Sequence, residues 1–140
     1  GTVCSEPVIG VDLYPTFLEM AGAKRPKDYL LDGLSIAPLL RDATASLDRE
    51  ALYWHFPCYL QGYTPRHGPF RPTPVAAIRM GDWKLIEFFD TNKVELFHLD
   101  SDPSEKTNLA TQRPNKRHEL HTQLIRWRKS VGATKAAPKR

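Results

Sequence analysis

Two histidines and two arginines offer most of the chemistry in this sequence. His55 ends an aromatic run, and Arg66, His67 and Arg71 follow within a segment, Pro57 to Pro74, that five prolines and two glycines interrupt. A guanidinium binds an oxyanion through two parallel hydrogen bonds, and an imidazole adds a donor or a charge near neutral pH. The set suits anion or sugar recognition. The alternative, that these are solvated loop residues without a ligand, stays open on residue types alone. A structureless connection of this length inside a compact domain is either functional or disordered. Its aromatics and cations (Tyr59, Tyr63, Arg66, His67, Phe70 and Arg71) argue against simple disorder.

Other constellations are thinner. Cys58 stands three residues after His55, a spacing open to a thiol nucleophile and its base, but no third group orients the pair. Asp100, Asp102 and Glu105 imitate alternating calcium oxygens, yet the glycine and distal glutamate of a calcium loop are missing, and helix capping explains them better. No glycine-rich phosphate loop and no HExxH occur. Cys4 and Cys58 are too few for a zinc site or a disulfide framework, leaving either one bridge or two buried free thiols.

The elements that would position these residues centre on 75–99. Val75–Met80, Trp83–Phe89 and Val94–Leu99 are aromatic and β-branched runs separated by Gly81-Asp82 and by Asp90-Thr91-Asn92-Lys93, which predicts a β-meander. Trp83 and Leu85 fall on one face, Lys84, Ile86 and Phe88 on the other. Glu50–Phe56 joins as a fourth strand. Pro114 opens a helix to about Val131, whose Leu120, Leu124, Trp127 and Val131 form one apolar stripe fit to lie on the sheet. Upstream, Gly10–Gly22 reads as a helix with Asp12 as N-cap and Leu13, Phe17, Leu18 and Ala21 on one stripe. Ser35 caps a short helix over Ile36–Arg41, and Ser101–Ala110 reads as a capped turn. The fold class expected is α+β: a four-stranded antiparallel sheet packed by a C-terminal helix and preceded by one or two helices.

At 140 residues the chain can bury a real core, and 41% hydrophobic with 26% charged residues is ordinary for a globular protein. The net charge of +4 gathers after Pro114, where eight cations face only Glu119. A basic helix face and tail of this kind are commonly just solvated, so no nucleic-acid partner is expected. No apolar run approaches a membrane span, and the opening residues are not expected to act as a cleavable signal peptide.

The segments PVIGVDLYPTFLEMAG, LDGLSIAPLL, REALYWHFP, AIRMGDWKLIEFF and VELFHLDSDPSEKTNLA, followed by a helix carrying a tryptophan, occur in that order. Together they resemble the C-terminal end of sulfatases of the arylsulfatase type, in the alkaline-phosphatase-like superfamily. The resemblance implies that residues 1–24 are the end of an α/β catalytic domain, 25–50 a linker with a short helix, 51–131 a C-terminal subdomain and 132–140 a loose basic tail. It implies hydrolysis of aryl or carbohydrate sulfate esters by a formylglycine made within C/S-x-P-x-R, with calcium polarising the sulfate. That motif is absent: Cys4-Ser5-Glu6-Pro7 has its proline one place late, and Ser101-Asp102-Pro103-Ser104-Glu105 has glutamate in place of arginine. No catalytic or metal-binding residue carries over to this sequence. The chain is therefore expected to be inactive alone and to partner the missing catalytic domain. His55 is its most defensible substrate-side residue, with Arg66, His67 and Arg71 behind it, and the ligand is a sulfated small molecule or glycan. The resemblance also implies export. A standalone anion- or sulfated-glycan-binding module, and a structural domain that dimerises through an uncovered helix 10–22, are the alternatives.

Overall fold

A computed structural model describes residues 1–25, 27–64, 68–70 and 72–135 of the chain, without the side chains of 63, 64 and 68–70. Two compact units, Gly1–Arg49 and Glu50–Arg140, divide it. The whole is α+β, as expected.

In the first unit, residues 1–9 have no regular structure, a 3-10 turn spans Gly10–Asp12, and α1 (Leu13–Met20) and α2 (Ala37–Arg41) follow. Asp12 precedes α1 but makes no side-chain cap to it. The expected apolar stripe is not what this unit buries. Leu13, Phe17 and Ala21 are exposed, while Asp12 and Thr16 on the other side of the helix are fully enclosed. A buried carboxylate is costly unless its oxygens are satisfied, and here they are. Asp12 Oδ2 accepts from the Ile9 amide at 2.9 Å and from Arg49 Nη2 at 2.9 Å, and Oδ1 accepts from the Leu34 amide at 3.0 Å. Thr16 Oγ1 donates to the Asp12 carbonyl at 2.6 Å and accepts from the Ile36 amide at 2.9 Å. Burial raises the Asp12 pKa, but the amides of Ile9 and Leu34 and the Arg49 guanidinium outweigh it, and the net direction is down. Gly33 completes the lock, since a Cβ there would stand 2.1 Å from the Val11 carbonyl oxygen. The DLYPT and LDG segments are thus two halves of one structural clasp.

In the second unit, β1 (Leu52–Phe56), β4 (Val75–Met80), β5 (Trp83–Phe88) and β6 (Val94–His98) form an antiparallel sheet in the order β1-β4-β5-β6. Met80 pairs with Trp83 across Gly81-Asp82, where Gly81 has φ +56°, and Asn92 takes φ +52° in the next reversal. Both are the left-handed conformations that Gly and Asn tolerate. The segment expected to be structureless contains a small antiparallel ribbon, β2 (Gly62–Thr64) with β3 (Gly68–Phe70). Its pairing involves backbone groups, which the proline and glycine content masked.

Helix α3 (Pro114–Ser130) lies on β4 and β5. Leu120 and Leu124 close over Ala76, Ile78, Leu85 and Leu96, all without exposed surface. Trp127 stacks on Tyr53 with ring centroids 4.7 Å apart. Val131 was expected on this stripe but is 54% exposed; Arg128 is buried instead. After α3, Gly132 turns at φ +66° and the Ala133 amide reaches the Arg128 carbonyl at 2.9 Å, closing the helix in the usual glycine stop.

Candidate functional site

Glu87 is the least expected residue of the second unit. It continues the Trp83/Leu85 face of β5 into the core and is 4% exposed. Arg128 Nη2 stands 2.8 Å from its Oε2, Lys135 Nζ 2.8 Å from its Oε1, and His121 Nε2 3.5 Å from Oε2. The Arg128 approach is a charge contact without hydrogen-bond alignment, and Arg128 Nε and Nη1 have no hydrogen-bond partner among the described residues. The Phe89 ring receives Arg128 at 5.0 Å and Lys135 at 5.5 Å. Burial pushes the Glu87 carboxyl up, but bonding to His121 and Lys135 and the charges of Arg128 and Lys135 prevail and hold it at about 2. Glu87 is anionic at any physiological pH.

His55 borders this cluster. Paired with Ala76, it lies on the helix-covered face of the sheet; its Nε2 is 2.8 Å from the Thr134 carbonyl and its ring lies 5.6 Å from Phe89. Arg66, His67 and Arg71 lie outside the described residues. Cys4 and Cys58 are free thiols, and Cys58 is exposed rather than buried.

The turn after β6 is built from side chains that bind the chain itself. Asp102 Oδ2 accepts from the Thr107 amide at 2.8 Å, and both Glu105 oxygens take Lys84 Nζ, at 2.7 and 2.8 Å. Asn108 Oδ1 accepts from the Leu96 and Ala110 amides at 3.1 and 2.9 Å. Glu105 sits at φ +54°. The amides around Asp102 depress its carboxyl pKa. These oxygens are spent on structure, and among the described residues no three His, Cys, Asp or Glu side chains gather as a metal ion requires. The residues described do not fit a calcium site, and the sequence has no C/S-x-P-x-R for formylglycine.

The opposite face of the sheet carries a pocket of about 430 Å³, lined by Trp54, Val75, Ala77, Arg79, Lys84, Ile86, Leu99 and Glu105.

Comparison with known proteins accounts for the clasp, the sheet and the turn together. The family described as N-sulphoglucosamine sulphohydrolase, C-terminal, matches residues 1–130. This chain belongs to the sulfatases. It is 35% identical over 117 residues to a sulfatase of Formosa agariphila, covering 79% of this chain and 20% of that protein. It is also 35% identical over 116 residues to mouse arylsulfatase K, covering 81% of this chain and 20% of that one. The fold resembles a protein solved in complex with its substrate D-glucosamine-2-N,6-O-disulfate: 31% identity, TM-score 0.62, 84% of this chain and 23% of the other. The chain thus spans about a fifth of the length of these curated relatives. As a sulfatase C-terminal portion, it contributes its signature segments mainly as scaffold. Asp12, Thr16, Asp102, Glu105 and Asn108 all hold backbone or ion-pair partners within the chain, and Gly33 allows a close backbone approach to Val11.

Sequence reasoning missed Glu87 and Arg128. The signal was present, as an acid two positions after Leu85 on the core face of a strand and a base four after Leu124 on the core face of a helix.

Proposed function

We propose that this chain is the C-terminal portion of an enzyme that hydrolyses sulfate esters of carbohydrates or aryl alcohols, and that it is inactive by itself. The match of the sulfatase C-terminal family over residues 1–130 carries this reading. The absence of C/S-x-P-x-R from the sequence supports the second half of it. Formylglycine and calcium then belong to the remaining polypeptide, and His55, Arg66, His67 and Arg71 are the residues assigned here to recognition of the sulfated substrate. The carbohydrate substrate class is favoured by the glucosamine disulfate complex of the structural relative.

The test is an assay of the 140-residue chain with calcium and an aryl sulfate, beside a longer polypeptide that includes the catalytic domain. The expected result is no turnover by the chain and sulfate release by the longer form. Turnover by the 140 residues alone refutes the proposal.

A second reading concerns α1. Val11, Leu13, Tyr14, Phe17 and Met20 are all about half exposed or more. An apolar face of this kind is a docking surface. It is covered by the rest of the enzyme when present, and drives self-association of the chain when alone.

A further inference from the structure

Residues 132–135 turn back over the sheet after α3 rather than away from it. Gly132 reverses the chain, the Thr134 carbonyl accepts from His55 Nε2 on β1 at 2.8 Å, and Lys135 Nζ reaches Glu87 Oε1 on β5 at 2.8 Å. His55, Ala76, Glu87 and Val94 lie on one cross-strand row, so this strap bridges β1 and β5 across the methyl of Ala76. Because a carbonyl only accepts, His55 carries its proton on Nε2. Its Nδ1 is a buried atom without a hydrogen-bond partner, and so is His121 Nε2, 3.5 Å from Glu87 Oε2. Arg128, Lys135 and the His55 ring stand 5.0, 5.5 and 5.6 Å from the centre of the Phe89 ring.

We infer that residues 132–135 are a pH-sensitive strap, latched across the sheet while His55 and His121 are neutral and released when they are protonated. Among the described residues, the charged groups around the two imidazoles are Glu87 of β5, Arg128 of α3 and Lys135 of the strap, with the exposed Arg117 one turn before His121. Glu87, Arg128 and Lys135 carry one net positive charge while both imidazoles are neutral. Protonation of both rings raises this to three against a single carboxylate. His121 then becomes a charged donor to Glu87 and takes over the part played by Lys135. His55 adds a cation at the Phe89 ring, where Arg128 and Lys135 already stand, and its new Nδ1–H has no acceptor. Its charge strengthens the one bond to Thr134, but departure of the strap gives both ring nitrogens water instead. The Arg128 side chain, 7% exposed, is enclosed, whereas that of Lys135 is 50% exposed, so Lys135 is the cation that leaves. Imidazoles are the side chains that gain charge between about pH 8 and 5, which sets the working range.

The test is an NMR titration of the full chain between about pH 8 and 5, reading backbone order parameters of Ala133, Thr134 and Lys135 beside the ring signals of His55 and His121. The expected result is strap amides near about 0.8 at the alkaline end, falling below about 0.6 at the acid end. The fall should share its midpoint with the two ring signals, while the Leu85 and Leu120 amides stay rigid. The double variant His55→Gln, His121→Gln keeps a donor for the Thr134 carbonyl but no titrating ring, so its strap should stay ordered throughout. If that variant does not fold, the shared midpoint in the parent decides. Strap amides that are already mobile at about pH 8, or that stay rigid to about pH 5, overturn the inference. So does opening at a midpoint unlike that of the rings, opening in the folded double variant, or loss of the Leu85 and Leu120 amides together with the strap, which would be global unfolding.

Discussion

Replacing Glu87 by Gln should be the most informative single change in the second unit. Removal of the carboxylate leaves Arg128, 6% exposed, with a buried charge and with Nε and Nη1 already lacking hydrogen-bond partners. Breaking a buried ion pair from one side costs about 3–5 kcal/mol. The pKa leads to a similar figure. A carboxyl at about 2 in the folded state, against an ordinary 4.5, favours folding by about 3 kcal/mol at neutral pH. Because the folded value lies below the unfolded one, this contribution is complete above about pH 5 and is lost as the pH falls toward 2. Urea or thermal unfolding of parent and Glu87→Gln at pH 7 and pH 3 reads both effects. The variant should lose about 3 kcal/mol at pH 7, on the order of 10–20 °C in midpoint, and the gap should shrink at pH 3. Replacing Glu87 and Arg128 together by leucine should restore most of the loss, since the desolvation cost disappears with the charges. A Glu87→Gln variant within about 1 kcal/mol of the parent at pH 7, or a gap that does not change with pH, would refute the reasoning.

Two further predictions concern the first unit. Gly33→Ala forces a methyl to 2.1 Å from the Val11 carbonyl oxygen and 2.5 Å from its carbon. Backbone cannot yield as a side chain does, so the 1–49 unit should lose about 2–3 kcal/mol or more, seen as faster proteolysis there. The exposed apolar face of α1 should make the chain associate with concentration, and Phe17→Ser should reduce this in light scattering without lowering stability. A monomer at high concentration would count against that face as a docking surface.

The sheet and its covering helix were legible in the sequence because each depends on a short period. Alternation along 75–99, with Gly81 and Asn92 at reversals, specifies strands and turns locally. The spacing of Leu120, Leu124 and Trp127 specifies one helix face. The ordered signature segments were enough to indicate the sulfatase C-terminal family. Other features depend on partners far along the chain. Asp12 reads as a cap until Leu34 and Arg49 are brought to it, from 22 and 37 residues away. Glu87 and Arg128 each look like solvated charges until β5 and α3 meet. Then excluded water makes the pair mutually obligatory. Local pattern determined which elements form. Only tertiary structure decided which polar groups are buried together, because the energy of a charge is set by its surroundings and not by its neighbours in sequence.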